Sequence, residues 1–195
     1  MIWLRNMNIL ALAILMSTLS AYGGDGQAPG TYMSDYIAQI NAVESQIVSL
    51  EGAVPQEKFT WRPAEGVRSI SEVYLHIAGG NYLLISFAGQ GFEPPKEANY
   101  SGNTKWETAT TNKDEIANTL KASFDHLHAK VSTIHESDFD RTVNFFGSEI
   151  SLRSLLMNCL NHLHEHLGQS IAYARMNGVV PPWTAAREAA AKEKK

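Results

Sequence analysis

The 195-residue chain is 44% hydrophobic and 18% charged. That balance suits one globular domain with a single core and excludes a disordered or fibrous protein. The net charge of −4 contains no block of like charge beyond the terminal KEKK, so no nucleic-acid partner is expected.

In chain order, the first segment is MIWLRNMNILALAILMSTLSAYGG. Arg5 supplies a positive start, Ile9 to Leu19 form a short apolar run, and Ala21-Tyr22-Gly23 offer the small residues a signal peptidase needs. The run is too short for a comfortable membrane span and lacks a stop-transfer flank. Residues 1–23 therefore read as a secretory signal, with an uncleaved N-terminal anchor as the alternative. The mature protein is expected outside the cytoplasm, periplasmic or secreted, with no stable membrane span after cleavage. The single cysteine, Cys159, cannot form an internal disulfide, so stability must come from the core.

Four amphipathic helices follow. In the first, Tyr32, Tyr36, Ile40, Val43, Ile47 and Leu50 keep one face inward, and Gly52 with Pro55 closes it. A connector containing Pro63 and Gly66 leads to a second helix capped by Ser69 or Ser71, with Ile70, Val73, Ile77 and Leu84 on its stripe. The polar loop FEPPKEANYSGNTKWETATTN is longer than most connections in compact domains and suggests a crossover or a lid. Thr111 or Asn112 caps a third helix whose stripe is Ile116, Leu120, Phe124, Leu127, Val131 and Ile134. RTVNFFGSEIS has room for a short extended piece. A fourth helix runs from about Ser151 to Asn177 and stops at Gly178. The segment 184–195 reads as a polar tail. The expected domain, residues 31–183, is an all-α four-helix bundle, monomeric or homodimeric.

Chemistry concentrates in NHLHEHLGQ. On a helical wheel His162 and His166 fall ~40° apart at the border of the apolar face, whereas His164 lies ~160° from His166. An i,i+4 pair of imidazoles is how one helix presents two ligands to a metal ion. Of the other histidines His76 fits best as a third ligand, because it occupies the matching border of the second helix. Gly79 and Gly80 follow within a turn and leave space for an ion and its ligand. His126, His135 and His164 read as solvated, and His128 as a packed core residue. Cys159 reads as a small apolar filler, with metal ligation as its lesser role. Trp61, Trp106 and Trp183 pack by default or wall a pocket. Glu72, one turn before His76, and Gln169, beside His166, are placed to orient the ligands, with Glu165 and Tyr173 as further candidates.

VPQEKFTWRPAEGVRSISEVYLHIAGGN and NHLHEHLGQSIAYARMNGVVPPW resemble segments of the DinB/YfiT-like family of bacterial four-helix metalloproteins. TNKDEIANTLKASFDHL is similar to that family's third helix, and the resemblance covers nearly all of residues 31–183. It implies an unusual connection order and one divalent ion, Zn or Ni, on His76, His162 and His166. Many members carry a second adjacent histidine where this chain has Glu165; here the extra histidine is His164. The better-understood members use low-molecular-weight thiols in S-transfer or isomerisation. Three functions follow: a metal-dependent transferase or hydrolase acting on a small molecule, a non-catalytic metal- or ligand-binding envelope protein, and a bundle whose histidines are incidental. Turnover of a model electrophile separates the first from the second, and metal content separates the third from both.

Overall fold

The computed structural model describes residues 30–101 and 104–193; the expected signal segment lies outside them. Helix α1 spans Tyr32–Ala53, α2 Ile70–Ser86, α3 Thr104–Glu107, α4 Lys113–Val131, α5 Leu152–Met176 and α6 Pro182–Glu193. The stripes read from α1 and α4 lie in the core or pack against it, as do Ile70, Val73 and Ile77 of α2, whereas Leu84 is only half-buried. Ile40, Val43, Ile47 and Leu50 of α1 meet Ile116, Leu120, Phe124 and Leu127 of α4, and Leu152, Leu155, Leu156 and Leu163 of α5.

The caps that the sequence suggested form. Ser69 accepts from the Glu72 amide while the Glu72 carboxylate accepts from the Ser69 amide, a reciprocal box that fixes the start of α2. Asn112 caps α4 and Ser151 caps α5; each such cap stabilises its helix by about 1 kcal/mol. Gly178, at φ +76°, ends α5 in the left-handed conformation while the Val179 amide bonds back to the Ala174 carbonyl.

Helix α1 packs on α4 and α5, and α2 packs on the same two helices. The consecutive pairs α1/α2 and α4/α5 therefore lie across the bundle diagonals, so the connections between them must cross an end of the bundle. Helix α2 is buried on nearly every side, from Ile70 and Val73 round to Gly79, Gly80 and Tyr82. Its remaining face is covered by α3, carried in the long polar loop. That position brings His76 against α5.

One expectation needs correction, and one takes definite form. Residues 184–195 do not form a featureless tail: Pro182–Glu193 is helical, packs on α1 and buries Thr184. The low-complexity run TAAREAAAKE is alanine-rich and so helix-favouring, and Pro182 is tolerated in its first turn. The extended piece is an antiparallel hairpin of β1 (Thr142–Phe145) and β2 (Ser148–Ser151), with Val143 opposite Ile150 and Phe145 opposite Ser148. Phe146 and Gly147 both have positive φ, at +48° and +88°, as a two-residue hairpin turn of the I′ kind requires. This is the single pair of strands among the described residues, and it sits on α5 as part of the α4–α5 connection.

Candidate metal centre

The α2–α5 contact brings His76, His162 and His166 together, with one ring nitrogen from each within 4.8 Å of the others. Ring centroids are 4.5 Å apart for His76–His166 and for His162–His166, and 5.0 Å for His76–His162. The Nε2 atoms of His76 and His162 are 3.2 Å apart. Zn–N bonds of about 2.0–2.1 Å at tetrahedral angles place ligand nitrogens roughly 3.3–3.4 Å apart, so this pair already has the spacing of two ligands on one ion.

The outer nitrogens explain the ring orientations. His76 Nδ1 lies 2.7 Å from Glu107 Oε1. A carboxylate only accepts, so Nδ1 donates and Nε2 is left as a bare lone pair facing inward. His166 Nδ1 lies 2.9 Å from Gln169 Oε1, while Gln169 Nε2 donates to Tyr173 Oη at 3.0 Å. The amide oxygen thus accepts from His166, and that Nε2 is bare as well. His162 Nδ1 is buried with no hydrogen-bond partner, an uncompensated polar atom of the kind that marks a functional centre.

Electrostatics favour the form that binds a cation. Burial, then the neighbouring His166, His76 and Arg68, pushes the His162 imidazolium down to about 3. Burial also lowers His76, against the opposing pull of its hydrogen bond to Glu107. Glu107 is itself held below the ordinary carboxylate range: burial raises it, but hydrogen bonds from Arg68 and His76 outweigh that. Arg68 binds the Glu107 carboxylate through Nε at 2.6 Å and Nη2 at 3.1 Å. Neutral imidazoles beside an ionised carboxylate suit a divalent cation.

Backbone economy makes the approach possible. A Cβ on Gly80 would overlap the His162 ring. A Cβ on Gly79 would press on Trp106 and Tyr100, at 3.0–3.2 Å. The two glycines therefore do not open a ligand cavity: one is filled by the His162 ring, the other by Trp106, whose Nε1 donates to the Leu75 carbonyl at 2.9 Å.

Other sequence expectations divide. Gln169 meets His166 and Tyr173 meets Gln169, and Trp61 packs edge-on against Tyr173, with centroids 5.4 Å apart. Glu72 does not touch His76. Its carboxylate is committed to Arg62 at 2.8 Å and to the Ser69 amide, because a residue at the third helical position serves the cap. Glu165 is exposed. His164 is exposed with Nδ1 against the Leu160 carbonyl, and His135 is exposed too. His126 is half-buried rather than solvated, with Nε2 enclosed and the ring against Tyr82. His128 is not an apolar packing residue: it pairs with Glu44 across α1 and α4 at 2.6 Å. Cys159 is buried, and burial pushes its thiol up to about 12, so it stays protonated and lies outside the cluster. The residues that sequence reasoning missed are Glu107 and Arg68. No spacing rule links a loop glutamate to a histidine 31 positions away; the only signal was the unusual length of the loop.

A helical bundle with three imidazoles converging from two facing helices is the class that fold and site together define. The chain belongs to the DinB superfamily, whose family model matches residues 39–170. Among solved structures it is similar to a DinB-like protein from Bacillus cereus ATCC 10987, with TM-score 0.62 and 21% identity over 75% of this chain and 93% of that one. It is also similar to a DinB-like protein from Bacillus subtilis, with TM-score 0.57 and 21% identity over the same shares of each chain. None of the curated proteins is significantly similar to it. No helix among the described residues is long and apolar enough to cross a membrane.

Proposed function

We propose that His76, His162 and His166 hold one divalent ion, Zn or Ni, and that the protein is a metal-dependent transferase or hydrolase acting on a small molecule. The observation that carries this reading is the pairing of the outer nitrogens. Glu107 and Gln169 each accept a hydrogen bond from the Nδ1–H of one histidine and so leave its Nε2 bare toward the cluster, the arrangement by which acceptors prepare imidazoles for a metal. A divalent ion on three neutral imidazoles keeps open positions and supplies Lewis acidity, which makes a water or a thiol nucleophilic at neutral pH.

The chain's own groups do the rest. Glu107, paired with Arg68, keeps a negative charge beside the ion and fixes the His76 tautomer. The Gln169–Tyr173 link holds His166 in line, and Trp61 closes over Tyr173. The buried surroundings of His162 keep that ring neutral.

The expected export of the mature chain favours a second reading, a non-catalytic metal- or ligand-binding envelope protein, because low-molecular-weight thiols are mainly cytoplasmic. Protein prepared without a His tag and assayed for metal tests the shared premise: about one ion per chain is expected. Turnover of a model electrophile with and without thiol then separates the two readings. Absence of metal after incubation with Zn²⁺ and Ni²⁺ rejects both.

A further inference from the structure

We infer that Glu107 is a positioning residue for the metal centre, set in place by the packing of Trp106 on Gly79, so that the long loop between α2 and α4 forms part of the site. This inference rests on the metal reading above and adds to it a part of the chain outside the ligand helices.

Each link is short. Glu107 Oε1 lies 2.7 Å from His76 Nδ1, and the same carboxylate is gripped by Arg68 at 2.6 and 3.1 Å. Glu107 is in the last position of α3, a one-turn helix that has too few internal hydrogen bonds to hold its own place. What ties α3 to α2 beside Glu107 is the residue before it in the chain, Trp106. The Trp106 indole donates to the Leu75 carbonyl at 2.9 Å, one residue before His76, and its ring fills the space that a side chain at position 79 would occupy. Tyr100 packs edge-on against Trp106, with centroids 5.2 Å apart, and closes the same space. Gly79 is thus one helical turn beyond His76 and admits the indole that delivers Glu107 back onto it. Gly80 acts separately, by making room for His162.

The consequence is that a residue making no contact with the ion controls its affinity. Glycine inside a helix is less favourable than alanine, so Gly79→Ala favours α2 as a helix while pushing the indole and Tyr100 aside from contacts of 3.0–3.2 Å. Loss of an acceptor behind a histidine ligand weakens metal binding by about 10–100-fold. A merely structural role for α3 would lower the stability of the metal-free protein and leave metal affinity alone.

The test uses the untagged full chain, Zn²⁺ affinity by competition with a chromophoric chelator, the visible spectrum of the Co²⁺ form, and thermal unfolding without metal. Glu107→Ala is expected to weaken Zn²⁺ about 10–100-fold and to alter the Co²⁺ spectrum, with Glu107→Gln, which keeps an acceptor oxygen, recovering part of the loss. Gly79→Ala is expected to weaken Zn²⁺ in the same direction with no fall in the metal-free midpoint. Wild-type affinity and spectrum in Glu107→Ala overturn the inference while leaving the three-histidine site standing. A Gly79→Ala protein that folds and binds as wild type removes the Trp106 link. A wild-type chain that binds no ion overturns the metal reading and this inference with it.

Discussion

Replacing Gly80 by Ala is the sharpest local perturbation of the centre. A methyl at that position would lie inside van der Waals contact with three atoms of the His162 ring, Cε1, Nδ1 and Nε2. Carbon atoms at rest sit roughly 3.5–4.0 Å apart. Cε1 would start 2.1 Å from the methyl, so to reach that distance the ring must retreat by roughly 1.4–1.9 Å, several times the tolerance of roughly 0.2 Å within which ligand distances lie. The ring cannot retreat and still keep its 3.2 Å partner, His76 Nε2. One of three ligands is therefore lost. The expected fall in Zn²⁺ affinity exceeds the roughly 10–100-fold that follows loss of an outer partner, and it matches that of His162→Ala. Alanine favours the helix by about 1 kcal/mol over glycine, so the bundle still forms and circular dichroism stays helical. Chelator competition on untagged protein measures the affinity. A Gly80→Ala chain that binds Zn²⁺ as tightly as wild type would refute the placement of His162 as a ligand.

Three further outcomes follow from the same geometry. Alanine at His76, His162 or His166 should each weaken metal binding by orders of magnitude, whereas His164→Ala and His135→Ala should leave stoichiometry unchanged; calorimetric titration reads the split, and a silent His162→Ala beside a damaging His164→Ala would reverse the assignment. The metal-free protein should lose stability as pH falls. His162 is depressed to about 3 when folded against roughly 6.5 when unfolded, so the unfolded chain binds more protons in between and stability drops from about pH 6.5 downward. Urea midpoints from pH 7 to pH 4 should show this slope, and it should be shallower in His162→Asn; equal slopes would remove His162 as its source. Finally, mature protein should begin near residue 24 and lie outside the cytoplasm, which mass spectrometry of exported material checks; an intact Met1 there would reject cleavage.

What was legible in the sequence, and what was not, divides along the reach of the interactions. Periodicity within one helix placed the stripes of α1 and α4 correctly, because each needs only its own 3.6-residue repeat to define an inward face. The same arithmetic separated His162 and His166 from His164, and the structure brings the first two beside His76. Caps were legible for the same reason, since Ser69 and Asn112 each bond within three residues of themselves. The limits appear once a partner lies elsewhere in the chain. Glu72 is one turn from His76 and was expected to reach it, but a helix-start glutamate gains more by closing its own cap. The partner of His76 came from α3, where no local pattern points to it. His128 reads in sequence as a packed core residue, yet Glu44 on α1 meets it across the bundle.

The glycine pair shows the same division within two residues. Read locally, Gly79-Gly80 means absent side chains and therefore space. In the folded chain that space is taken on one side by a histidine from α5 and on the other by a tryptophan from the α2–α4 loop. Absence of a side chain is legible in sequence, but what fills the gap depends on which elements the diagonal connections bring to α2. Helix α2 is enclosed by α4, α5 and α3 together, and a change on α3 or α5 reaches His76 through a contact of a few ångströms. The imidazole on α2 is thus the point at which loop, cap and bundle packing meet, and substitutions in α3 that never touch an ion should be felt there, less strongly than loss of a ligand itself.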